Sequence, residues 1–378
     1  MTFSKRTAVF ILCAFLLLSN LSGCGSSDPA IVTASVSSKE TEFLSIPLSP
    51  MEIVSETEPT SDNSIPEKPW SVEDWVSIQY QQEFVWTDDP GNQNIVSITL
   101  PCIKPVYDFA VQYNDEIRLI GQRLAAEVQE CQDLEVSCDI LSLSFEAYLN
   151  GDILSIVLTQ PYDYEYTKYT VHSFDLTQAR QLKLTDFCEE YLDMDYPTFI
   201  MATNTLIEKE FTEKFETYAA NESEFYARIL DSIATDAVSI LQRDLFLGEN
   251  GQLMLLYNAP SMAGAGYYPT IAPFDVRKIG WNEEPEEEAC YDYLFTLAIQ
   301  SDEANTAACQ TILKMAFDED ADDFSEELAK RSQEEIQAVA SLLAQGYGIQ
   351  KDQLAQYAGY LEEETVKTAI LEAVEKIS

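Results

Sequence analysis

The stretch DILSLSFEAYLNGDILSIVLTQ, residues 139–160, constrains the fold more than any other. Two runs rich in β-branched and other apolar residues flank Asn150-Gly151, a pair suited to the positive backbone angles of a tight primed turn. Such a hairpin needs an antiparallel sheet around it, and the neighbouring segments supply candidates. WVSIQYQQEFVW (75–86), NIVSITLPCI (94–103) and YEYTKYTVHSFDL (164–176) read as strands. RDLFLGENGQLMLLYN (243–258) reads as a second hairpin turning through Gly248–Gly251. Between strands, residues 106–130 repeat apolar positions at helical spacing through Phe109, Tyr113, Ile117, Ile120, Leu124 and Val128. Residues 196–218 and 222–240 predict two more amphipathic helices. The fold class is α+β, with helices packed on an antiparallel sheet.

From about Pro285 the texture changes to Ala, Leu and Glu at helical spacing, which predicts four or five short helices. Gly346 and Gly348 are read as helix stops. The domain plan is therefore an α+β domain over residues 72–280 and a small acidic all-α C-terminal appendage over 281–378. An apolar share of 46% excludes a wholly disordered chain and requires a real core.

Residues 1–71 differ from both parts. Lys5 and Arg6 precede an apolar run at 7–18, too short for a comfortable transmembrane helix and the right length for the core of a secretory signal. Leu21-Ser22-Gly23-Cys24 follows, a sequence that resembles the lipobox of bacterial lipoproteins, in which the cysteine is acylated and becomes the new N-terminus. Residues 1–23 are thus expected to be a signal peptide and Cys24 the lipid attachment site, with a signal carrying an incidental cysteine as the alternative. The expected location is the extracytoplasmic side of a bacterial cell membrane, held through the lipid. Residues 24–71, rich in Ser, Thr, Glu and Pro, read as a linker with a reach of roughly 35–40 Å.

The formal net charge is −43, and loss of Lys5 and Arg6 would deepen it. Such a surface repels phosphate backbones, which excludes nucleic acid as a partner. It suits a cationic protein instead. Eight cysteines are present; without Cys13 and Cys24, six remain. No CxxC pair supports a zinc ribbon. Cys290 and Cys309 are the pair expected to form a disulfide, with free buried thiols as the alternative.

Candidate chemistry is sparse. His172 is the single histidine and lies in an expected strand with no nucleophile motif nearby, so it is read as a satisfied strand residue. Tyr162, Tyr164 and Tyr166 fall at period 2, so one strand would show all three on one face. That stripe could stack on sugar rings or form an interface; an aromatic ladder within the sheet gives the same pattern. DEDADDFSEE (318–327) matches a calcium loop at three acidic positions but has Asp323 where glycine is needed and Ala329 where a bidentate Glu is needed. AGAGYYP (263–269) lacks the lysine and following helix of a phosphate loop. No catalytic residue, metal ligand or cofactor is assigned.

Two segments carry a family resemblance. FDLTQARQLKLTDF (174–187) and RDLFLGENGQLMLLYNAPSMAGAGYYPTIAPFDV (243–276) resemble segments of the extracellular domain shared by RsiV-type anti-sigma factors and PdaC-type peptidoglycan deacetylases. Coverage is roughly residues 75–278. The resemblance implies an RsiV-like fold placed beside wall-active or wall-sensing partners, and in the anti-sigma members a domain that binds lysozyme. YEYTKYTVHSFDL lacks the glycine pair those relatives carry before the F-D-L segment, and the signal at residue 1 is expected to leave no cytoplasmic anti-sigma segment. A single histidine cannot supply a deacetylase's metal-binding pairs. The expected function is a non-enzymatic binding or sensing module at the envelope, for a cationic protein such as lysozyme or for peptidoglycan glycan. The alternatives are a wall hydrolase using paired carboxylates and a surface scaffold acting through the helical appendage.

Overall fold

The computed structural model describes residues 65, 68, 70–162, 166–219, 223–261, 267–278 and 287–377. Cys24 and Tyr164 lie outside the described residues, as do the signal and nearly all of the linker. From Ser61 onward the chain forms one compact unit of α+β class.

A short helix α1 (Val72–Trp75) leads into β1 (Val76–Thr87), which pairs antiparallel with β2 (Gln93–Ile103). Helix α2 (Asp108–Asp133) follows, burying Tyr113, Ile117, Leu124 and Val128 along one face. Next come β3 (Ser142–Asn150), β4 (Ile153–Pro161), β5 (Thr167–Asp175) and β6 (Arg180–Leu182). The six strands lie in sequence order in one sheet. All neighbours are antiparallel except β2 and β3, which run parallel through Ser97–Ser142 and Ile98–Leu143. That pair departs from the expected antiparallel sheet because α2 is a crossover that carries the chain back across it, the connection parallel strands require.

Two side-chain devices dock α2. Asn114 accepts from Ile103 N at 2.8 Å and donates to Ile103 O at 2.7 Å, pairing the end of β2 with the helix. Gly121 allows close approach, since a Cβ there would lie 2.3 Å from Leu100 Cδ1. In the hairpin, Asn150 pairs with Ile153, so the two-residue loop is Gly151-Asp152. Gly151 supplies the positive φ, 62°, which fits the turn type with glycine first. The Asn150 side chain is thereby left to reach the turn of the second hairpin, where its amide donates to Gly248 O at 2.9 Å.

The FDLTQARQLKLTDF segment forms a tight β5–β6 connection and the start of the helical region. Asp175 accepts from Thr177 N and Gln178 N, each at 2.8 Å, and Ala179 takes a φ of 55°. Arg180 then reaches Asp186 and Glu190, each at 2.5 Å. These residues shape a turn. A short helix α3 (Leu184–Phe187) runs into a wider turn at Cys188–Leu192.

Helix α4 (Tyr196–Ala219) is followed by α5 (Ser223–Thr235) and α6 (Ala237–Leu241). The helix expected over 222–240 is thus broken at Asp236, which caps α6 by accepting from Val238 N and Ser239 N. Strands β7 (Asp244–Leu247), β8 (Leu253–Pro260) and β9 (Tyr267–Pro273) form a second antiparallel sheet. This sheet lies on the face of the six-stranded sheet opposite α2. Along β4, Leu154, Ile156 and Leu158 join the α2 core, while Ser155 faces away and meets Ser173 hydroxyl to hydroxyl at 3.1 Å. Tyr148 on that face stacks on Phe246 of β7, ring centres 6.2 Å apart.

The helical region runs through α7 (Glu287–Gln300), α8 (Thr306–Glu319), α9 (Ala321–Ala329), α10 (Gln333–Tyr347), α11 (Lys351–Ala358) and α12 (Glu364–Lys376). Its core is continuous with that of α4–α6: Phe199, Ile200 and Phe211 belong to the same buried cluster as Phe295, Phe317, Phe324 and Leu343. The boundary expected at 281 is therefore a change of secondary structure within one core. Gly346 does not stop a helix. It lies inside α10, where a Cβ would come 2.6 Å from Gln310 O of α8, so it permits a close helix crossing. Gly348, with φ 47°, ends α10 as expected.

Candidate functional site

A cleft opens between α5 and the paired ends of β8 and β9, with a cavity of about 210 Å³. One wall is Phe225, Arg228, Ile229 and Ser232. Their spacing of three, four and seven places them on one helix face. Opposite stand Pro260, Ser261 and Tyr267, where β8 and β9 pair through Pro260 and Tyr267.

The Arg228 guanidinium lies 5.6 Å from the centre of the Phe225 ring, a cation–π arrangement. Among the described residues Arg228 makes no ion pair, in a chain with 65 acidic residues. Ser232 donates its hydroxyl to Ile229 O at 2.7 Å, so its oxygen still has capacity to accept. Tyr267 donates across the cleft to Ser232 O at 3.4 Å. Burial, with Asp236 adding to it, pushes the Tyr267 hydroxyl up to about 12, so it stays a donor at neutral pH. Among the described residues none in the lining is a carboxylate, imidazole or thiol.

Beneath this wall Arg243 is buried, 3% exposed. It donates to Ile200 O at 3.2 Å, Thr203 Oγ1 at 2.5 Å, Asn204 Oδ1 at 2.6 Å and Ile233 O at 3.4 Å, all neutral oxygens. Burial pulls its pKa down to about 10, while Tyr293, Tyr196, Tyr267 and Asp236 act to raise it. The guanidinium therefore remains charged and ties α4 to α5. A buried cation held by neutral acceptors is costly unless every donor is served, and Nε has no partner among the described residues.

The carboxylates that burial perturbs most lie elsewhere. Asp244 and Glu319 are each raised to about 7 by burial, and Asp195, Glu189 and Asp320 add repulsion at Glu319. Glu319 accepts from Tyr196 N at 2.8 Å, joining α8 to the start of α4. These acids are packing elements and do not line the cleft.

The residues singled out in the sequence fall at several places. Tyr162 and Tyr166 do not share one strand face, because β4 ends at Pro161 and β5 begins at Thr167. They meet instead across the connection: Tyr162 N donates to Tyr166 O at 2.7 Å and the rings lie 5.9 Å apart. Tyr162 also packs on the α2 core. The Cys290–Cys309 disulfide is not formed, and both residues remain thiols. Cys290 accepts from Thr198 Oγ1 at 3.4 Å, whereas Cys309 sits against Leu297 O at 3.9 Å. Leu297 lies two turns along α7 from Cys290, about 10 Å of helix rise.

His172 is on the α2 side of β5, edge-on to Tyr113 with ring centres 5.0 Å apart. Burial lowers its pKa to about 4, so it is neutral. It is not the satisfied residue expected, since Nε2 has no partner among the described residues; Tyr113 OH has none either. In DEDADDFSEE, Asp320 caps α9 by accepting from Asp322 N and Asp323 N, each at 3.0 Å. Among the described residues no group of three or more His, Cys, Asp or Glu is placed to hold a metal ion, and no helix is long and apolar enough to cross a membrane.

The cleft itself was missed by reading the sequence. Its signal was an arginine inside the apolar stripe of residues 225–232, flanked by the Pro260-Ser261 end of a strand. Compared with known proteins, the chain matches no family model and no curated protein.

Proposed function

We propose that this chain is a lipid-anchored binding module on the extracytoplasmic side of the cell membrane, and that the α5–β9 cleft takes a carboxylate-bearing wall glycan. One observation carries the ligand reading: among the described residues the cleft sets a guanidinium with no ion pair over an aromatic face beside hydroxyls, with no carboxylate, imidazole or thiol in its lining. Guanidinium recognises carboxylate through paired N–H donors. Aromatic faces accept the apolar faces of sugar rings, and Ser232 and Tyr267 suit ring hydroxyls. Peptidoglycan offers these groups together, as amino sugars whose lactyl groups carry peptide stems with free carboxylates.

Support for the location comes from Lys5-Arg6, the apolar run 7–18 and the Leu21-Ser22-Gly23-Cys24 sequence. The resemblance to the RsiV and PdaC extracellular domain supports a wall-facing role. A second reading, a cationic protein such as lysozyme docking on the acidic exterior, is favoured by the net charge of −43. Binding without catalysis is favoured over a hydrolase because the perturbed acids Asp244 and Glu319 belong to packing contacts.

Co-sedimentation with purified peptidoglycan, and separately with lysozyme, tests the reading at low salt. The glycan reading expects retention on peptidoglycan that Arg228→Gln abolishes. Retention by lysozyme alone, insensitive to Arg228→Gln, would move the function to the acidic surface. No retention by either would remove both. Labelling of the wild type but not of Cys24→Ala with a radioactive fatty acid tests the anchor.

A further inference from the structure

The chain contains two Asn-Gly pairs, and both lie at hairpin turns. Asn150-Gly151 joins β3 to β4, and Asn250-Gly251 joins β7 to β8. The two turns touch, but they hold their asparagines differently. Asn150 belongs to the sheet ladder, paired with Ile153. Its side-chain amide donates to Gly248 O at 2.9 Å and to Leu247 O at 3.5 Å. Its oxygen sits beside Gly251, where a Cβ would lie 3.4 Å away. Asn250 is exposed, and its side chain has no partner among the described residues. Its backbone takes the left-handed conformation, with φ 58° and ψ 24°. Around it Gly251 N donates to Gly248 O and Gln252 N to Glu249 O, each at 3.3 Å, beyond the usual length for such bonds.

We infer that Asn250 is a deamidation site, while the fold protects Asn150 within the same Asn-Gly sequence. Base in the solvent takes the proton of Gly251 N, which bonds to Asn250 Cγ. The Cγ–Nδ2 bond breaks, the departing nitrogen takes up a proton, and ammonia leaves behind a cyclic succinimide. Water then adds to one of the two ring carbonyls. Scission of the bond from Cγ to Gly251 N gives aspartate. Scission of the backbone C–N bond gives isoaspartate, whose main chain runs through Cγ. One water is consumed and one ammonia released, with no oxidant or reductant. Gly251 supplies an attacking nitrogen with no side chain beside it.

The two turns set different barriers to that attack. Asn250 must swing its Cγ onto Gly251 N, which means opening two long hydrogen bonds in an exposed turn, a local fluctuation of low free energy. Asn150 must first break its contact to Gly248 O, made by the nitrogen that would leave, and its ladder pairing with Ile153. Isoaspartate at 250 adds one carbon to the main chain of the turn and a free carboxylate beside Glu249. Gly248 O, the acceptor for Asn150, belongs to the same turn, so the lengthened chain should loosen the tie between the two hairpins. The site stands whether or not the cleft binds a ligand.

Full-length protein held in mildly alkaline buffer, sampled over time, digested under acidic conditions and mapped by peptide mass spectrometry tests the site. Electron-transfer fragmentation tells isoaspartate from aspartate. The same time course in urea supplies the reference, since unfolding frees both pairs. The folded protein should convert Asn250 at least about tenfold faster than Asn150, because Asn150 has hydrogen bonds to break first. In urea the two rates should converge. The fraction carrying isoaspartate, separated by its added charge, should exchange amides faster at residues 150–153 and 247–252 than the parent. Asn150 converting as fast as Asn250 in the folded protein would overturn the inference, as would an Asn250 that converts in urea but not when folded.

Discussion

The α2–sheet half and the helical half differ in the charge of the groups they tie across elements. Against α2, Asn114 is paired with Ile103, while Trp75 Nε1, Tyr113 OH and His172 Nε2 are neutral and lack partners among the described residues. They sit within an aromatic run in which Trp70, Trp75, Tyr107, Phe109, Phe174, Tyr113 and His172 touch in succession. In the helical half Arg243 and Glu319 hydrogen-bond across elements, beside buried neutral groups such as Thr203 and Asn204, and Tyr226 OH and Arg243 Nε lack partners among the described residues. The cleft opens in the second half. An orphaned neutral group costs stability and offers a ligand nothing; a buried guanidinium that orders α4 and α5 holds Phe225 and Arg228 in fixed relation. On the proposed reading the first half serves as framework and the second carries recognition.

The largest test of that division lies in the two cores. Phe317→Ala should cost about 3–5 kcal/mol, and Ile117→Ala about 2–5 kcal/mol. Phe317 shares its cluster with Phe199 and Phe211, so its loss should lower amide-exchange protection in α4, α5 and α7–α12 together and weaken ligand binding. Protection lost only within residues 287–377 would instead mark those helices as a separate domain. Ile117→Ala should lower protection in α2 and its strands first.

Next in size is Arg228→Gln. Loss of a charged hydrogen-bonding partner should weaken glycan binding by about 1.5–3 kcal/mol while leaving the melting temperature within about a degree, as for an exposed residue. A matched fall in thermal stability would make Arg228 part of the framework.

The two halves should also differ in pH response. Asp244 and Glu319 titrate near 7 when folded and near 4 when unfolded. Between those values the folded state holds the extra protons, so their contribution to stability is full below about pH 4 and is lost as pH rises through about 7. His172 acts in the reverse sense. Its folded value of about 4 lies below the ordinary 6.5, so its contribution is present above 6.5 and is lost as pH falls through about 4. Thermal melts should show Asp244→Asn with Glu319→Gln flattening the decline on the alkaline side, and His172→Phe flattening the decline on the acid side. Variants that leave both limbs unchanged would contradict these assignments.

The smallest effect is expected at Tyr166. Tyr166→Phe keeps the ring against Tyr162 and should change stability by less than about 0.5 kcal/mol, with glycan binding unaltered. A loss of binding there would return the tyrosines to the recognition surface.

Local order in the sequence announced much of this fold and little of the site. The α2 stripe from Tyr113 to Val128, the Gly151 turn and the Gly248–Gly251 turn follow from spacing and backbone angles within a few residues. What was illegible depends on contacts far apart in the chain. Gly346 reads as a stop until Gln310 is seen 2.6 Å from its missing Cβ. The Tyr162–Tyr166 period reads as one strand face until Pro161 and Thr167 close a hairpin around it. The cleft joins residues 225–232 to Pro260, Ser261 and Tyr267, and its meaning lies in Arg228 having no ion pair among the described residues, a property no local pattern contains.

Calorimetric titration of soluble peptidoglycan fragments into the wild type and into Arg228→Gln tests the central claim most directly. Measurable binding by the wild type, reduced at least about tenfold by the substitution at unchanged melting temperature, is the predicted result. Equal binding by both proteins, or none by the wild type at low salt, would contradict it.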